Sequence, residues 1–150
     1  MTRELFNRIV MPTDFSECSE EAWKVAQRLA AAGGSEILLA HVFVEPPSYG
    51  EPALPPVYAW QLIEEAKKWV ANELEKWADG PRAKGITVRT VVLTGSPHQK
   101  IVELVKDERA DLVAMGTHGR GGVSRMLLGS VADRVIRSAP CPVLTVRAPE

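Results

Sequence analysis

Apolar residues in this chain occur as short continuous runs, which alternate with segments where they recur every three or four positions. The runs predict buried strands, because a strand covered on both faces of a sheet has no polar side. The helical spacing between them predicts helices that lay one apolar face on that sheet. The predicted strands are 8–13, 36–44, 86–93, 111–115 and 143–146. Such alternation indicates right-handed crossovers and a doubly wound parallel α/β sheet with helices on both faces.

Capping and breaking residues set the predicted ends of the helices. Asp14 or Ser16 is expected to cap the first helix, and Gly33-Gly34 to stop it. The proline-rich segment 45–57 is expected to be a loop and a candidate lid. A long helix is predicted over 58–79, and Gly80-Pro81 should end or kink it. Its predicted core face consists of Ile63, Ala66, Val70, Leu74 and Trp77.

Length, charge and cysteine usage narrow the class of protein. The 150 residues are the size of one domain, so a single domain over 1–150 is expected. A net charge of -1 gives no bulk attraction to nucleic acid or to an anionic membrane, and neither is expected as a partner. Cys18 and Cys141 form no Cys-x-x-Cys pair, which argues against thioredoxin-like and zinc-ribbon classes. No apolar run approaches the roughly 18 residues of a membrane span, and no signal peptide is visible, so we expect a cytoplasmic location.

Two segments carry candidate chemistry, and both follow predicted strands. Pro12-Thr13-Asp14 follows the first strand, and the glycine-rich segment Gly116–Ser130 follows the fourth. Ligands of open parallel sheets bind beyond the carboxyl ends of the strands. Within the second segment, Gly116, Gly119 and Gly129-Ser130 combine glycines with a helix start, and a helix start exposes unpaired N–H groups suited to phosphate. Arg120 and Arg125 lie in the same loop and are expected to neutralise phosphate charge.

The letters of this segment exclude three better-known sites. It holds no Gly-Lys-Ser/Thr, so it is not a P-loop. It follows the fourth strand and lacks the third glycine of a dinucleotide fingerprint. The chain contains no Gly-x-Ser-x-Gly elbow, so a hydrolase triad has no support.

The pattern Gly116-x2-Gly119-x9-Gly129-Ser130, with Pro12-Thr13-Asp14 and the segment Ala139–Val143, resembles the universal stress protein family, in particular its ATP-binding branch. The resemblance covers essentially the whole chain. It implies a five-stranded parallel sheet in the order 3-2-1-4-5, a homodimer, and ATP as the ligand. We expect Mg²⁺ to accompany the nucleotide, but no metal-binding residue is identified.

The resemblance also implies roles for individual residues. Asp14 would bond the ribose hydroxyls, with Pro12 and Thr13 beside it, and Val42 would contact adenine through its backbone. Met115 and Gly116 would lie under the ribose and phosphates. The phosphates themselves would be held by Gly119, Gly129, Ser130 and Val131, and the roles of the residues between Gly119 and Gly129, among them Arg120, are less defined.

Structural alternatives stay open at each of these positions. The glycines are also ordinary turn residues, and Asp14 and Ser130 are ordinary helix caps. His41 lies inside an apolar strand and is expected to be a core histidine. His118, inside the glycine-rich loop, is either a loop residue or a phosphate contact.

The predicted function is that of an ATP-binding regulatory protein of the cytoplasmic stress response, acting on an unidentified protein partner. The apolar last strand, 142–147, is expected at a sheet edge, where pairing with a second copy would cover it. Two alternatives remain: a slow ATP-hydrolysing enzyme and a nucleotide-free interaction module. No catalytic residue is assigned.

Overall fold

The computed structural model describes residues 5–45, 55–118 and 127–149. Within them the strands are all parallel and lie in the order β3-β2-β1-β4-β5, which confirms the predicted α/β fold and strand order. The elements are β1 (Arg8–Pro12), α1 (Glu17–Gly33), β2 (Glu36–Phe43), α2 (Pro56–Ala83), β3 (Val88–Thr94), α3 (Pro97–Asp107), β4 (Leu112–Gly116), α4 (Ser130–Ser138) and β5 (Val143–Val146).

The sheet separates two apolar layers because successive side chains of a strand point to opposite faces. Ile9 and Met11 of β1 pack in the layer formed with α1 and α2. Val10, between them, packs in the layer formed with α3 and α4. All three side chains have no solvent exposure. The continuous apolar runs of the sequence therefore mark strands that are covered on both faces, as predicted.

The first helix begins and ends where its capping residues predict. Ser16 is the N-cap, and its side chain accepts a hydrogen bond from the backbone N–H of Ser19. Gly34 is the C-cap in the left-handed region, with φ 73°, and its N–H bonds the Ala30 carbonyl at 2.8 Å. Of the two predicted caps, Ser16 fills the position, and Asp14 bonds the Ser16 N–H from one turn outside the helix.

The second helix is longer than predicted. It begins at Pro56 and continues through Gly80-Pro81 to Ala83, two residues beyond the predicted stop. Pro81 is accommodated because it lies in the last turn, where the loss of one backbone donor breaks little of the helix. Of the segment predicted as a loop and lid, residues 46–54 lie outside the described residues.

A charged network lies at the amino ends of the strands. Arg8 bonds Glu36 at 2.7 Å, and Arg89 bonds both Glu36, at 3.2 Å, and Glu108, at 2.8 Å. The hydrogen bond from Arg89 lowers the pKa of the Glu108 carboxyl below its ordinary value. The candidate site lies at the opposite end of the sheet, beyond the carboxyl ends of the strands.

Candidate functional site

One cavity of about 720 Å³ lies beyond the carboxyl ends of the strands. It opens between β1 and β4, the neighbours at which the strand order reverses, which is where doubly wound sheets bind ligands. Every predicted binding residue in the described part of the chain lines it: Pro12, Thr13, Asp14, Val42, Met115, Gly116, Gly129, Ser130 and Val131. Gly119 and Arg120, with Arg125, lie outside the described residues.

The segment after β1 is held by hydrogen bonds between its own polar side chains. Oδ1 of Asp14 accepts from the Ser16 N–H at 3.0 Å and from the Ser19 hydroxyl at 2.7 Å. The Thr13 hydroxyl accepts from the Phe15 N–H at 3.0 Å. Phe15 has a φ of 62°, a left-handed conformation that is uncommon for an aromatic residue. The carboxylate of Asp14 therefore has a fixed direction at the wall of the cavity.

His41 joins this segment to β2 instead of lying in the core. Its Nδ1 donates to the Thr13 carbonyl at 2.7 Å, and its ring stacks on Phe15 with centroids 5.2 Å apart. The side chain is half-buried and lines the cavity. The prediction of a core histidine at this position is therefore wrong. The cause is that β1 ends one residue before Thr13, which opens the space beside His41.

The backbone of Val42 faces the space beyond the end of β1. The last ladder bond between the two segments runs from the Thr13 N–H to the Ala40 carbonyl at 2.8 Å. Peptide groups of a strand point alternately to its two neighbours, so those of Val42 point to the same side as those of Ala40. They lie beside the cavity, where the strand that would pair with them has already turned away.

The start of α4 forms the opposite wall. Gly129 is the N-cap, and among the described residues neither a side chain nor a carbonyl bonds the N–H groups of Ser130, Val131 and Ala132. The Gly129 N–H bonds the Thr117 carbonyl at 2.7 Å, which fixes the helix start against the end of β4. Ser130, predicted as a possible cap, is the first residue of the helix. Ser130 and its neighbours Gly129 and Val131 line the cavity.

His118, two residues after the end of β4, also lines the cavity. Its Nδ1 is 3.0 Å from the Thr117 hydroxyl, and its Nε2 is buried and has no hydrogen-bond partner in the part of the chain that the structure describes. A buried polar atom without a partner costs about 1–3 kcal/mol, so it marks a place where an additional polar group would be stabilised. Thr117 and His118 both line the cavity.

A family model described as the universal stress protein family matches residues 5–147. The chain belongs to the universal stress protein family. Universal stress protein MJ0531 of Methanocaldococcus jannaschii is 41% identical over 147 residues, which cover 97% of this chain and 85% of that protein. Family membership places the chain among stress-response proteins.

Solved structures of other universal stress proteins have the same fold. The structure of MJ0577 from Methanocaldococcus jannaschii has a TM-score of 0.83 at 30% identity and covers 97% of this chain and 99% of that one. A universal stress protein in complex with cAMP has a TM-score of 0.66 at 29% identity and covers 96% of this chain and 98% of that one. The latter protein holds an adenine nucleotide.

In this universal stress protein, two glycines of the motif have a packing reason as well as a place in the cavity. A Cβ on Gly116 would lie 2.7 Å from Cβ of Cys18 and 2.8 Å from its carbonyl carbon. A Cβ on Gly129 would lie 2.8 Å from the Thr117 carbonyl oxygen. From the sequence, these glycines were interpreted either as a means of phosphate approach or as ordinary turn residues. The contacts show that each also permits close packing of neighbouring segments, with or without a ligand.

The described residues add two further observations about this universal stress protein. They contain no group of three or more His, Cys, Asp or Glu side chains that is arranged to hold a metal ion. In the described ranges, no helix has the length and apolar character needed to cross a membrane.

Proposed function

We propose that this universal stress protein is a regulatory protein that binds an adenine nucleotide, foremost ATP, in the cavity between β1 and β4. One observation carries the proposal. The Asp14 carboxylate, the Val42 peptide and the start of α4 converge on one cavity of about 720 Å³, within the usual range for small-molecule sites. Among the described residues, nothing pairs with the Val42 peptide on the β1 side and no side chain caps α4. The family relative in complex with cAMP supports the class of ligand.

The base belongs at the Val42 end of the cavity. The peptide of Val42 offers one donor and one acceptor, and its side chain packs against the apolar cluster that supplies Ile101, Met115 and Ala132 to the cavity lining. A purine has apolar faces and polar edges, so this combination of a flat apolar contact and a peptide edge matches it. Asp14 lines the same cavity and is then the acceptor for the ribose hydroxyls.

The phosphates belong at the start of α4. Its first amides and the positive end of the helix dipole attract anions, and the Ser130 hydroxyl adds a donor. His118 Nε2 is the further polar atom that a phosphate would pair. Mg²⁺ usually keeps several waters and is held by phosphates with one or two carboxylates, so we propose that it enters with the nucleotide.

Two further expectations remain proposals. The first is a homodimer through residues 142–147, since β5 is a sheet edge and carries Leu144 with 37% exposure. An apolar edge of this kind associates unless it is covered. The second is a cytoplasmic location, together with a regulatory protein partner that recognises the nucleotide-bound form.

A nucleotide-free interaction module is the second candidate, and the contacts of the glycines favour it. Gly116 and Gly129 are both required for packing, so a glycine motif can persist in a protein that binds no nucleotide. The two candidates differ in one result, binding of ATP. Slow ATP hydrolysis, the other alternative, is measured as phosphate release in the same samples.

Isothermal titration calorimetry with ATP, AMP and adenosine, with and without Mg²⁺, tests the proposal. Because the helix start acts on the phosphates, affinity should decrease from ATP to AMP to adenosine. Mass spectrometry of the freshly purified, denatured protein should detect co-purified ATP. Absence of heat with every adenine nucleotide at millimolar concentration would leave the nucleotide-free module.

A further inference from the structure

We propose that His41 is a positioning residue of the nucleotide site, which keeps the backbone N–H of Val42 available for the base by occupying the Thr13 carbonyl. This inference rests on the proposed function for its consequence in binding. Its structural part concerns the ligand-free protein alone and is tested separately. It starts from the pairing between the end of β1 and β2.

The parallel ladder has a definite continuation that the structure does not follow. Pro12 pairs with Ala40, and the Thr13 N–H bonds the Ala40 carbonyl at 2.8 Å. In a regular ladder, the next two bonds would join the Val42 N–H to the Thr13 carbonyl and the Phe15 N–H to the Val42 carbonyl. Both bonds would consume the peptide groups that a base needs.

Two side chains occupy the partners of those bonds. His41 Nδ1 bonds the Thr13 carbonyl at 2.7 Å. The Thr13 hydroxyl bonds the Phe15 N–H at 3.0 Å. Both groups that would pair with Val42 are therefore already satisfied by side chains. Neither Val42 bond occurs among the backbone hydrogen bonds of the described residues. The strand edge at Val42 remains open because the opposite segment is satisfied without it.

The chemistry of the His41 bond fixes its direction. A carbonyl oxygen only accepts, so Nδ1 carries the proton and donates it. The stack of the His41 ring on Phe15, at 5.2 Å, holds that proton toward Thr13. Phe15 in turn adopts a φ of 62°, a left-handed conformation that does not continue a strand. The uncommon conformation of Phe15 and the hydrogen bond of His41 therefore both contribute to ending the β1–β2 ladder at Thr13.

The direct test is amide hydrogen exchange at Val42 in the ligand-free protein. His41→Phe keeps a ring for the stack but removes the donor, so the Thr13 carbonyl should take the Val42 N–H and slow its exchange by about tenfold or more. His41→Asn supplies an amide donor near the position of Nδ1 and should restore fast exchange. His98→Phe, at a histidine that bonds Ser96, is the matched control and should change nothing.

Opposite results overturn the inference. A histidine that merely stabilises the fold would make Val42 exchange faster when it is replaced, and unchanged exchange would show that the bond has no influence on Val42. If His41→Phe does not fold, two-bond ¹H–¹⁵N NMR of the wild-type ring still decides. The expected spectrum has the proton on Nδ1, and a proton on Nε2 alone would contradict the assigned bond.

Binding completes the test. His41→Phe should weaken ATP and adenosine by the same factor, about tenfold, because both share the base contact. Inorganic triphosphate, which lacks a base, should bind wild type and variant equally. Loss confined to triphosphate-bearing ligands would overturn the inference. Failure of wild-type protein to bind ATP would instead refute the proposed function and leave the exchange result standing.

Discussion

Replacing Gly116 by alanine should destabilise the protein through contact with α1. The added Cβ would lie 2.7 Å from Cβ of Cys18, 2.8 Å from its carbonyl carbon and 3.0 Å from the Ser19 nitrogen. Two of these three atoms are backbone, so no side-chain rotation relieves the contact. The first turn of α1 would have to move away from the end of β4.

The expected loss in free energy of unfolding lies toward the upper end of the range for overpacked sites. Insertions into packed interiors cost typically about 1–3 kcal/mol, and we expect roughly 2–3 kcal/mol for Gly116→Ala because the backbone must move. In a domain of this length each kcal/mol lowers Tm by about 2–4 °C, so the midpoint should decrease by roughly 4–12 °C.

Thermal and urea unfolding measure this effect, and Gly33→Ala is the matched control. A Cβ on Gly33, in the last turn of α1, would meet only the Ser35 hydroxyl, at an ordinary 3.6 Å. That variant should be neutral or slightly stabilising, since alanine is the better helix former. Equal stability of Gly116→Ala and wild type would refute the packing explanation and leave phosphate approach as the reason for this glycine.

Three further predictions concern the helix cap, the charged network and the sheet edge. Ser16→Ala removes the side-chain cap of α1 and should lower the free energy of unfolding by about 1 kcal/mol in urea titrations. For Glu108→Gln, the lowered pKa of the carboxyl means that its stabilising effect exists above the ordinary value of 4.5 and is lost as pH falls through the lower folded pKa. The stability difference from wild type should therefore vanish in acid, and also shrink in high salt because the pair is partly exposed; a constant difference would contradict this cause. Leu144→Lys places a charge on the β5 edge and should convert a dimer into a monomer in sedimentation, whereas an unchanged dimer would place the interface elsewhere.

The sequence predicted the fold well because the fold depends on local and repetitive features. Strands buried on both faces must be apolar throughout, so β2 and β4 stood out as continuous runs. The helix stop at Gly34 followed from the left-handed conformation that it adopts. The end of α2 was misjudged because a proline in a last turn is tolerated, and sequence alone does not reveal that β3 begins only at Val88.

The sequence indicated which residues line the cavity, but not the contacts that these residues make with one another. The residues that the motif singled out line one cavity wherever they are described. The role of His41 was missed because its partner, Thr13, is 28 positions away and the bond involves a side chain and a carbonyl. The packing role of Gly116 was missed for a similar reason, since Cys18 lies on a different element. The position of His41 near the carboxyl end of an apolar strand, where ligands bind in such sheets, was a signal that could have indicated its role.

Two-dimensional ¹H–¹⁵N NMR during titration with ATP is the measurement that tests the central claim most directly. If the cavity between β1 and β4 holds the nucleotide, the amide signals of Val42, Ser130 and Val131 should shift together and saturate at one affinity. The amide signals of Glu36 and Asp111, at the amino ends of the strands, should keep their chemical shifts. Saturable shifts that avoid the start of α4, or no saturable shift at all, would contradict the account.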